Sequence, residues 1–140
     1  MRQAIERLQG SLIREIANAD LGRPDVLAFW FGESDEVTPE VIRRAAIASL
    51  ERGETFYAQN LGLPELREEL ARYTSSLHPP LDAGRVVVTS GGVSGLMLAA
   101  QALVDAGDEV VVVTPVWPNL LAQPAIMGAT VRSVALEPVA

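Results

Sequence analysis

The 140-residue sequence contains no cysteine and no lysine, and it has a single histidine. The absence of cysteine excludes disulfides, thiolate metal sites and cysteine nucleophiles. Without a lysine, the chain can form no Schiff base through a lysine side chain and offers no lysine to a phosphate. The lone His78 precedes two prolines in a predicted loop. We assign it no catalytic role, because no partner residues for a nucleophilic site accompany it.

Long hydrophobic runs are also missing. No apolar stretch reaches the roughly 18 residues that a membrane span needs, and the N-terminus lacks the apolar core of a signal peptide. The net charge of −7 argues against binding to nucleic acid or to anionic membranes. The hydrophobic content of 49% excludes a disordered chain. We therefore expect a folded, cytoplasmic protein with no nucleic-acid partner, no membrane partner and no metal site.

The N-terminal half of the sequence predicts three helices. Apolar residues at helical spacing predict an amphipathic helix over residues 1–18, which would form an arm. Thr38 followed by Pro39 is typical of a helix start, and this second helix is predicted to stop at Gly53. The third helix is predicted from Pro64 to residue 77, with one apolar stripe and a charged, solvated face.

The C-terminal half predicts a parallel α/β core. Strands are predicted over residues 86–89, 109–114 and 130–136, with a helix over 94–105 and a shorter helix before Gly128. This order gives a parallel β-α-β-α-β core with helices as crossovers. The helix 94–105 is so apolar that it should be buried on most sides, which a three-stranded sheet cannot achieve. We therefore expect the 140 residues to be the front part of a larger domain.

A glycine turn, Ser90-Gly91-Gly92, joins the first predicted strand to the apolar helix. The first turn of a helix has unpaired amides and the positive end of the helix dipole, and glycines let that backbone approach an anion closely. A phosphate suits this geometry. The alternative is a plain tight turn that needs only a positive φ. The sequence matches neither the Walker loop nor the dinucleotide fingerprint, so both interpretations stay open from these residues alone.

Three stretches, in order, resemble the class I/II aminotransferases, which are pyridoxal 5′-phosphate (PLP) enzymes of fold type I. They are FWFGESDEVTPEVIRRA, YAQNLGLPELREELA and VVVTSGGVSGLMLAAQALVDAGDEVVVVTPVWPN. The resemblance implies the N-terminal part of the large domain of such a transferase, preceded by a helical arm. We expect residues 1–53 to form that arm with a small-domain and substrate-loop segment, and residues 54–140 to form an incomplete PLP-binding domain.

The resemblance also implies site residues. Gly91, Gly92 and Val93 match the positions whose backbone N–H groups hold the cofactor phosphate, and Trp117 matches the aromatic residue that stacks on the pyridine ring. Two further positions correspond to family sites outside that stretch: Tyr57 matches the tyrosine that reaches the phosphate in the neighbouring subunit's site, and Gly32 matches the residue whose backbone contacts the substrate carboxylate.

The activity implied is amino-group transfer between an amino acid and a 2-oxo acid, in a protein that is a homodimer at full length. No catalytic residue is expected in this chain, because the family's Schiff-base lysine would lie after residue 140. We therefore expect an N-terminal fragment that supplies cofactor contacts but is inactive by itself. The alternatives are a PLP-dependent lyase or decarboxylase of the same fold, or a non-catalytic truncated remnant.

Overall fold

The computed structural model describes residues 1–137. They divide into two compact units, of which unit 1 comprises Met1–Phe31 with the residues from Ser90 onward, and unit 2 comprises Gly32–Thr89. Residues 138–140, at the end of the second predicted domain, lie outside the described residues. The domain boundary expected at residue 53 stays a prediction. Within residues 1–137, no helix is long and apolar enough to cross a membrane.

The N-terminal arm of unit 1 contains two helices, α1 (Gln3–Glu6) and α2 (Leu12–Asp20). The prediction of one continuous helix over residues 1–18 is therefore wrong. The helix is interrupted over residues 7–11, which include Gly10, and glycine costs about 1 kcal/mol in a helix interior relative to alanine. Ser11 then starts α2 as its N-cap, and its hydroxyl oxygen accepts a hydrogen bond from the Arg14 amide at 3.3 Å.

Unit 2 is built on two helices, α3 (Glu40–Glu51) and α4 (Pro64–Leu77). The predicted bounds of α4 are confirmed, and Pro64 occupies its first turn, where a missing N–H costs nothing. The start of α3 differs by one residue from the prediction, because Pro39 is the N-cap in place of Thr38. A short 3₁₀ turn, Ala83–Arg85, follows α4.

The segment 86–89 of unit 2 is extended, but it does not pair with a strand among the described residues. Its backbone groups have other partners. The Arg67 guanidinium donates to the carbonyl oxygens of Val86 at 2.9 Å and Ala83 at 2.7 Å. The Val88 amide donates to the carbonyl oxygen of Leu61 at 3.0 Å. Arg67 and Leu61 therefore provide the hydrogen-bond partners of the Val86 carbonyl and the Val88 amide, which the sequence predicted to lie in a strand.

Gly62 explains how that loop can lie so close to the extended segment. Its φ is +103°, and a Cβ placed on it would lie 2.6 Å from side-chain atoms of Val88. Any larger residue would push the two segments apart.

The remainder of unit 1 contains α5 (Gly92–Leu103), β1 (Glu109–Thr114), α6 (Asn119–Met127) and β2 (Thr130–Ala135). The strands β1 and β2 pair in parallel with Glu109 opposite Thr130, and α6 is the crossover between them. The predicted β1 is confirmed residue for residue. The β-α-β-α-β core expected from the sequence is thus a two-stranded parallel sheet in the described part of the chain, because residues 86–89 do not join it.

Burial in the described chain is slight. Among residues 1–137, the buried apolar residues are Ala17, Ala71, Val112 and Pro124. No residue of α5 is buried, and Leu98 and Leu103 are exposed. The described residues therefore do not cover this helix, as expected for a sheet of few strands, and its burial in a larger domain stays a prediction. An apolar groove of about 470 Å³ in unit 1 is lined by α5, β1 and α6, including Leu96, Val111 and Leu120.

We predict that the 140-residue chain binds anilinonaphthalene sulfonate through this surface. Val111 is 67% exposed and Val113 is 51% exposed on β1, and both contribute to the groove. The double substitution Val111→Thr with Val113→Thr should lower dye fluorescence by about half, because less apolar surface remains accessible. The control is Ser133→Thr at an exposed position of β2, which should leave the fluorescence unchanged. A chain that binds no dye at all would contradict the prediction.

Candidate functional site

The glycine turn lies directly before α5 in unit 1. Gly91 is the N-cap residue, with φ +132° and ψ 156°. The Gly95 amide donates to the Gly91 carbonyl oxygen at 3.1 Å and closes the first helical hydrogen bond. The amides of Gly92, Val93 and Ser94 therefore make up the first turn, at the positive end of the helix dipole. No acidic residue lies in this turn to compete with an anion.

The two glycines of the turn have different physical roles. The backbone of Gly91 lies in a region that is essentially closed to other residues. Gly92 has no positive φ, and a Cβ built on it would meet nothing within 4 Å. Gly91 is thus needed for the path of the chain, whereas the Cβ position of Gly92 is open space. A side chain at residue 92 would occupy this space.

Trp117 lies in the loop between the carboxyl end of β1 and the start of α6. Its side chain is 45% exposed. Its carbonyl oxygen accepts from the Leu120 amide at 3.1 Å, which joins the loop to the first turn of α6. Ligands of open α/β sheets bind outside the carboxyl ends of the strands. The structure therefore places a partly exposed indole at that edge of the sheet.

Gln123 of α6, which the sequence analysis did not single out, contacts the first turn of α5. It is 7% exposed, and its Nε2 donates to the Val93 carbonyl oxygen at 3.1 Å. The bond connects the helix that follows Trp117 to the first turn of α5. The signal in the sequence is a lone amide within the apolar run of α6, because a buried polar side chain needs a hydrogen-bond partner.

The other two predicted site residues lie in unit 2. The Tyr57 side chain is fully exposed. Tyr57 comes three residues after Glu54, which accepts hydrogen bonds at the end of α3 from Arg52 at 2.7 Å and from Ser49 at 2.6 Å. These bonds, that of Arg52 first, lower the pKa of Glu54 from its usual value near 4.5 to about 2. Gly32 has no positive φ and open space at its Cβ position, so a left-handed turn is not what requires glycine there.

Comparison with known proteins identifies the family. The family model for aminotransferase class I and II matches residues 25–139 of the 140-residue chain. The chain belongs to the class I and II aminotransferases. The resemblance found in the three sequence stretches is thereby confirmed.

Individual relatives agree with the family model. The chain is 32% identical over 133 residues to a probable aspartate aminotransferase of Methanocaldococcus jannaschii, covering 94% of this chain and 35% of that protein. It is 39% identical over 115 residues to an aspartate aminotransferase of Thermotoga maritima, covering 79% of this chain and 29% of that protein. The chain thus spans about a third of the length of the curated relatives it matches.

The solved structures support the fold prediction. Aspartate aminotransferase from Thermus thermophilus with maleate superimposes with a TM-score of 0.91 at 31% identity. That match covers 99% of this chain and 37% of the other. The N-terminal part of the fold type I transferases, expected from the sequence, is therefore confirmed as the fold of this aminotransferase chain. The roles of its site residues stay predictions.

The two glycines of the turn should respond differently to alanine. Gly91→Ala should lower the free energy of unfolding by about 1–3 kcal/mol, because its backbone conformation is closed to residues with a Cβ. Gly92→Ala should change it by less than about 0.5 kcal/mol, because neither strain nor a clash arises there. Urea unfolding followed by circular dichroism measures both. Equal destabilisation by the two substitutions would refute the division of roles.

Proposed function

We propose that this chain is the cofactor-binding N-terminal part of a PLP-dependent aminotransferase that moves an amino group between an amino acid and a 2-oxo acid. The observation that carries the proposal is the open first turn of α5 after Gly91, in a chain whose family match spans residues 25–139. Relatives named aspartate aminotransferase make aspartate the first amino donor to test.

In this proposal the phosphate of PLP binds to the backbone at Gly91, Gly92 and Val93. The chain has no lysine, so the attraction comes from amide N–H groups and the dipole of α5. The first turn carries no acidic side chain that would repel a dianion. The open space at the Cβ position of Gly92 leaves room for phosphate oxygens beside the backbone. The residues therefore fit a phosphate monoester.

Trp117 would bind the ring end of the same cofactor. Its indole is half-exposed and lies on the loop that leads into α6. Stacking on a flat aromatic face holds a ring by dispersion and by quadrupole interaction, and it fixes the orientation of the ring plane. Phosphate binding and ring stacking by one unit would position both ends of the cofactor.

Gly32 and Tyr57 would serve the substrate and the neighbouring subunit. The Gly32 backbone is proposed to contact the substrate carboxylate, and its missing side chain leaves that backbone open. The Tyr57 side chain is fully exposed in the described chain, as expected for a residue that reaches the phosphate of a partner's site. This role requires a homodimer of the full-length protein.

When bound, PLP supplies a carbonyl that exchanges with the amine and a ring that accepts electrons from the substrate's α-carbon. The residues of this chain bind and orient that group, and none of them is proposed to carry the proton. The family's lysine is proposed to follow residue 140 in the full-length protein. A PLP-dependent lyase or decarboxylase would use the same contacts, but the relatives named above are transaminases, which favours amino-group transfer.

Binding experiments on the chain can separate the two ends of the cofactor site. Gly92→Val should weaken binding of inorganic phosphate by about tenfold or more, because the side chain fills the space beside the amides and removes charge-assisted hydrogen bonds. Val93→Ala should leave phosphate binding unchanged, because its amide remains. Trp117→Ala should weaken PLP by about fivefold without affecting inorganic phosphate. Equilibrium dialysis and absorbance titration measure these affinities.

Equal effects of Gly92→Val and Val93→Ala would show that the glycine turn only reverses the chain direction and does not bind phosphate. Loss of phosphate binding in Trp117→Ala would place the indole in the phosphate site and contradict the separate roles proposed.

The chain by itself should not transaminate. A chain without lysine lacks the group that shuttles the proton, so it should turn over aspartate and 2-oxoglutarate no faster than free PLP. Adding a polypeptide that carries the C-terminal remainder of a relative should produce turnover. Activity of the pure 140-residue chain above free PLP would contradict this prediction. Failure of complementation together with absent PLP binding would favour the non-catalytic remnant.

A further inference from the structure

We infer that Gln123 is a positioning residue that orients and polarises the peptide group between Val93 and Ser94, and thereby strengthens phosphate binding at the start of α5. This inference rests on the proposed function. It adds a residue from a different helix to the phosphate site. The juxtaposition that carries it is the 3.1 Å hydrogen bond from Gln123 Nε2 to the Val93 carbonyl oxygen.

The first step of the argument is the burial of Gln123. Its side chain is 7% exposed in a helix made mostly of apolar residues. Burying an amide without a partner costs free energy that a leucine or methionine at the same place would not cost. The next residue, Pro124, is buried as well. A polar side chain in such a place is best explained by its bond to Val93.

The second step is the peptide group that receives the bond. The Val93 carbonyl and the Ser94 N–H belong to one planar amide, so a donor on the oxygen draws electron density from the nitrogen. The Ser94 N–H then becomes a stronger donor, since hydrogen bonds in a chain polarise one another. This N–H is one of the three in the first turn of α5, before the Gly95 amide closes the helix. Gln123 therefore acts on the Ser94 N–H, which this inference adds to the Gly91, Gly92 and Val93 amides proposed to hold the phosphate.

The third step is the position of α6. This helix begins immediately after the loop that carries Trp117. A bond from Gln123 to the first turn of α5 sets the distance between the phosphate end and the ring end of the proposed site. One cofactor molecule must contact both the first turn of α5 and the Trp117 loop. The bond therefore also keeps these two segments at the separation that a phosphate with an attached ring requires.

The test measures binding of inorganic phosphate to the chain by equilibrium dialysis. Gln123→Met keeps the length of the side chain and removes the donor, and it should weaken phosphate binding by about five- to tenfold. The matched control is Gln101→Met in α5, where the glutamine is exposed, and it should bind phosphate as the wild type does. Circular dichroism of each variant checks that the helices are retained.

Gln123→Glu adds a pH profile that follows the protonation of the introduced carboxyl. The introduced carboxyl can donate to the Val93 oxygen only when it is protonated, and burial raises the pKa of such a group. Phosphate affinity, taken as a ratio to the wild type at the same pH, should be close to one at pH ~5 and should fall about tenfold or more by pH ~8. This readout remains decisive if Gln123→Met does not fold.

The outcomes separate the two proposals. If Gln123→Met binds phosphate as tightly as the wild type while Gly92→Val loses binding, the role of Gln123 is wrong and the proposed function stands. A flat pH ratio for Gln123→Glu likewise overturns the inference. If the wild-type chain binds neither inorganic phosphate nor PLP, the proposed cofactor site itself is wrong, and the role of Gln123 fails with it.

Discussion

Parallel pairing of β1 with β2 is the constraint on which the rest of unit 1 depends. The two strands run side by side from Glu109 opposite Thr130 to Thr114 opposite Ala135. A parallel pair needs a crossover, so α6 must lie on one face of the sheet between them. The start of α6 is then fixed near the carboxyl end of β1, and the loop with Trp117 opens at that edge. The ladder thus determines where the loop with Trp117 lies.

The second determinant is a single buried amide. Gln123 ties α6 to the first turn of α5, and without it nothing polar among the described residues would hold the two helices at that point. Apolar contact between helices is nondirectional, whereas a hydrogen bond fixes both distance and angle. A site that binds a phosphate through backbone N–H groups depends on such direction. In the site that we propose, the orientation of the first amides of α5 therefore depends on one bond within an apolar interface.

In unit 2, the extended segment 86–89 is held by hydrogen bonds from outside a sheet, because no strand among the described residues pairs with it. Arg67 reaches from α4 to the carbonyls of Val86 and Ala83, and the Leu61 carbonyl accepts from the Val88 amide. Gly62 permits this close approach. Gly62 and Arg67 thus help to hold residues 86–88, the segment that precedes the glycine turn in the sequence. A charged side chain that the pattern assigned to a solvated face is in fact partly buried and structural.

The sequence alone determined the elements that depend on interactions between residues close together in the chain. The bounds of α4 and β1 follow from Pro64, from apolar periodicity and from a run of valines, and the glycine turn before α5 follows from residues that are adjacent in the chain. The family followed from motifs in order. Tertiary structure decided the rest: the exclusion of residues 86–89 from the sheet, the role of Arg67 and the bond from Gln123 to Val93. These depend on partners 16 to 30 residues apart, and periodicity carries no information about which distant carbonyl a side chain will reach.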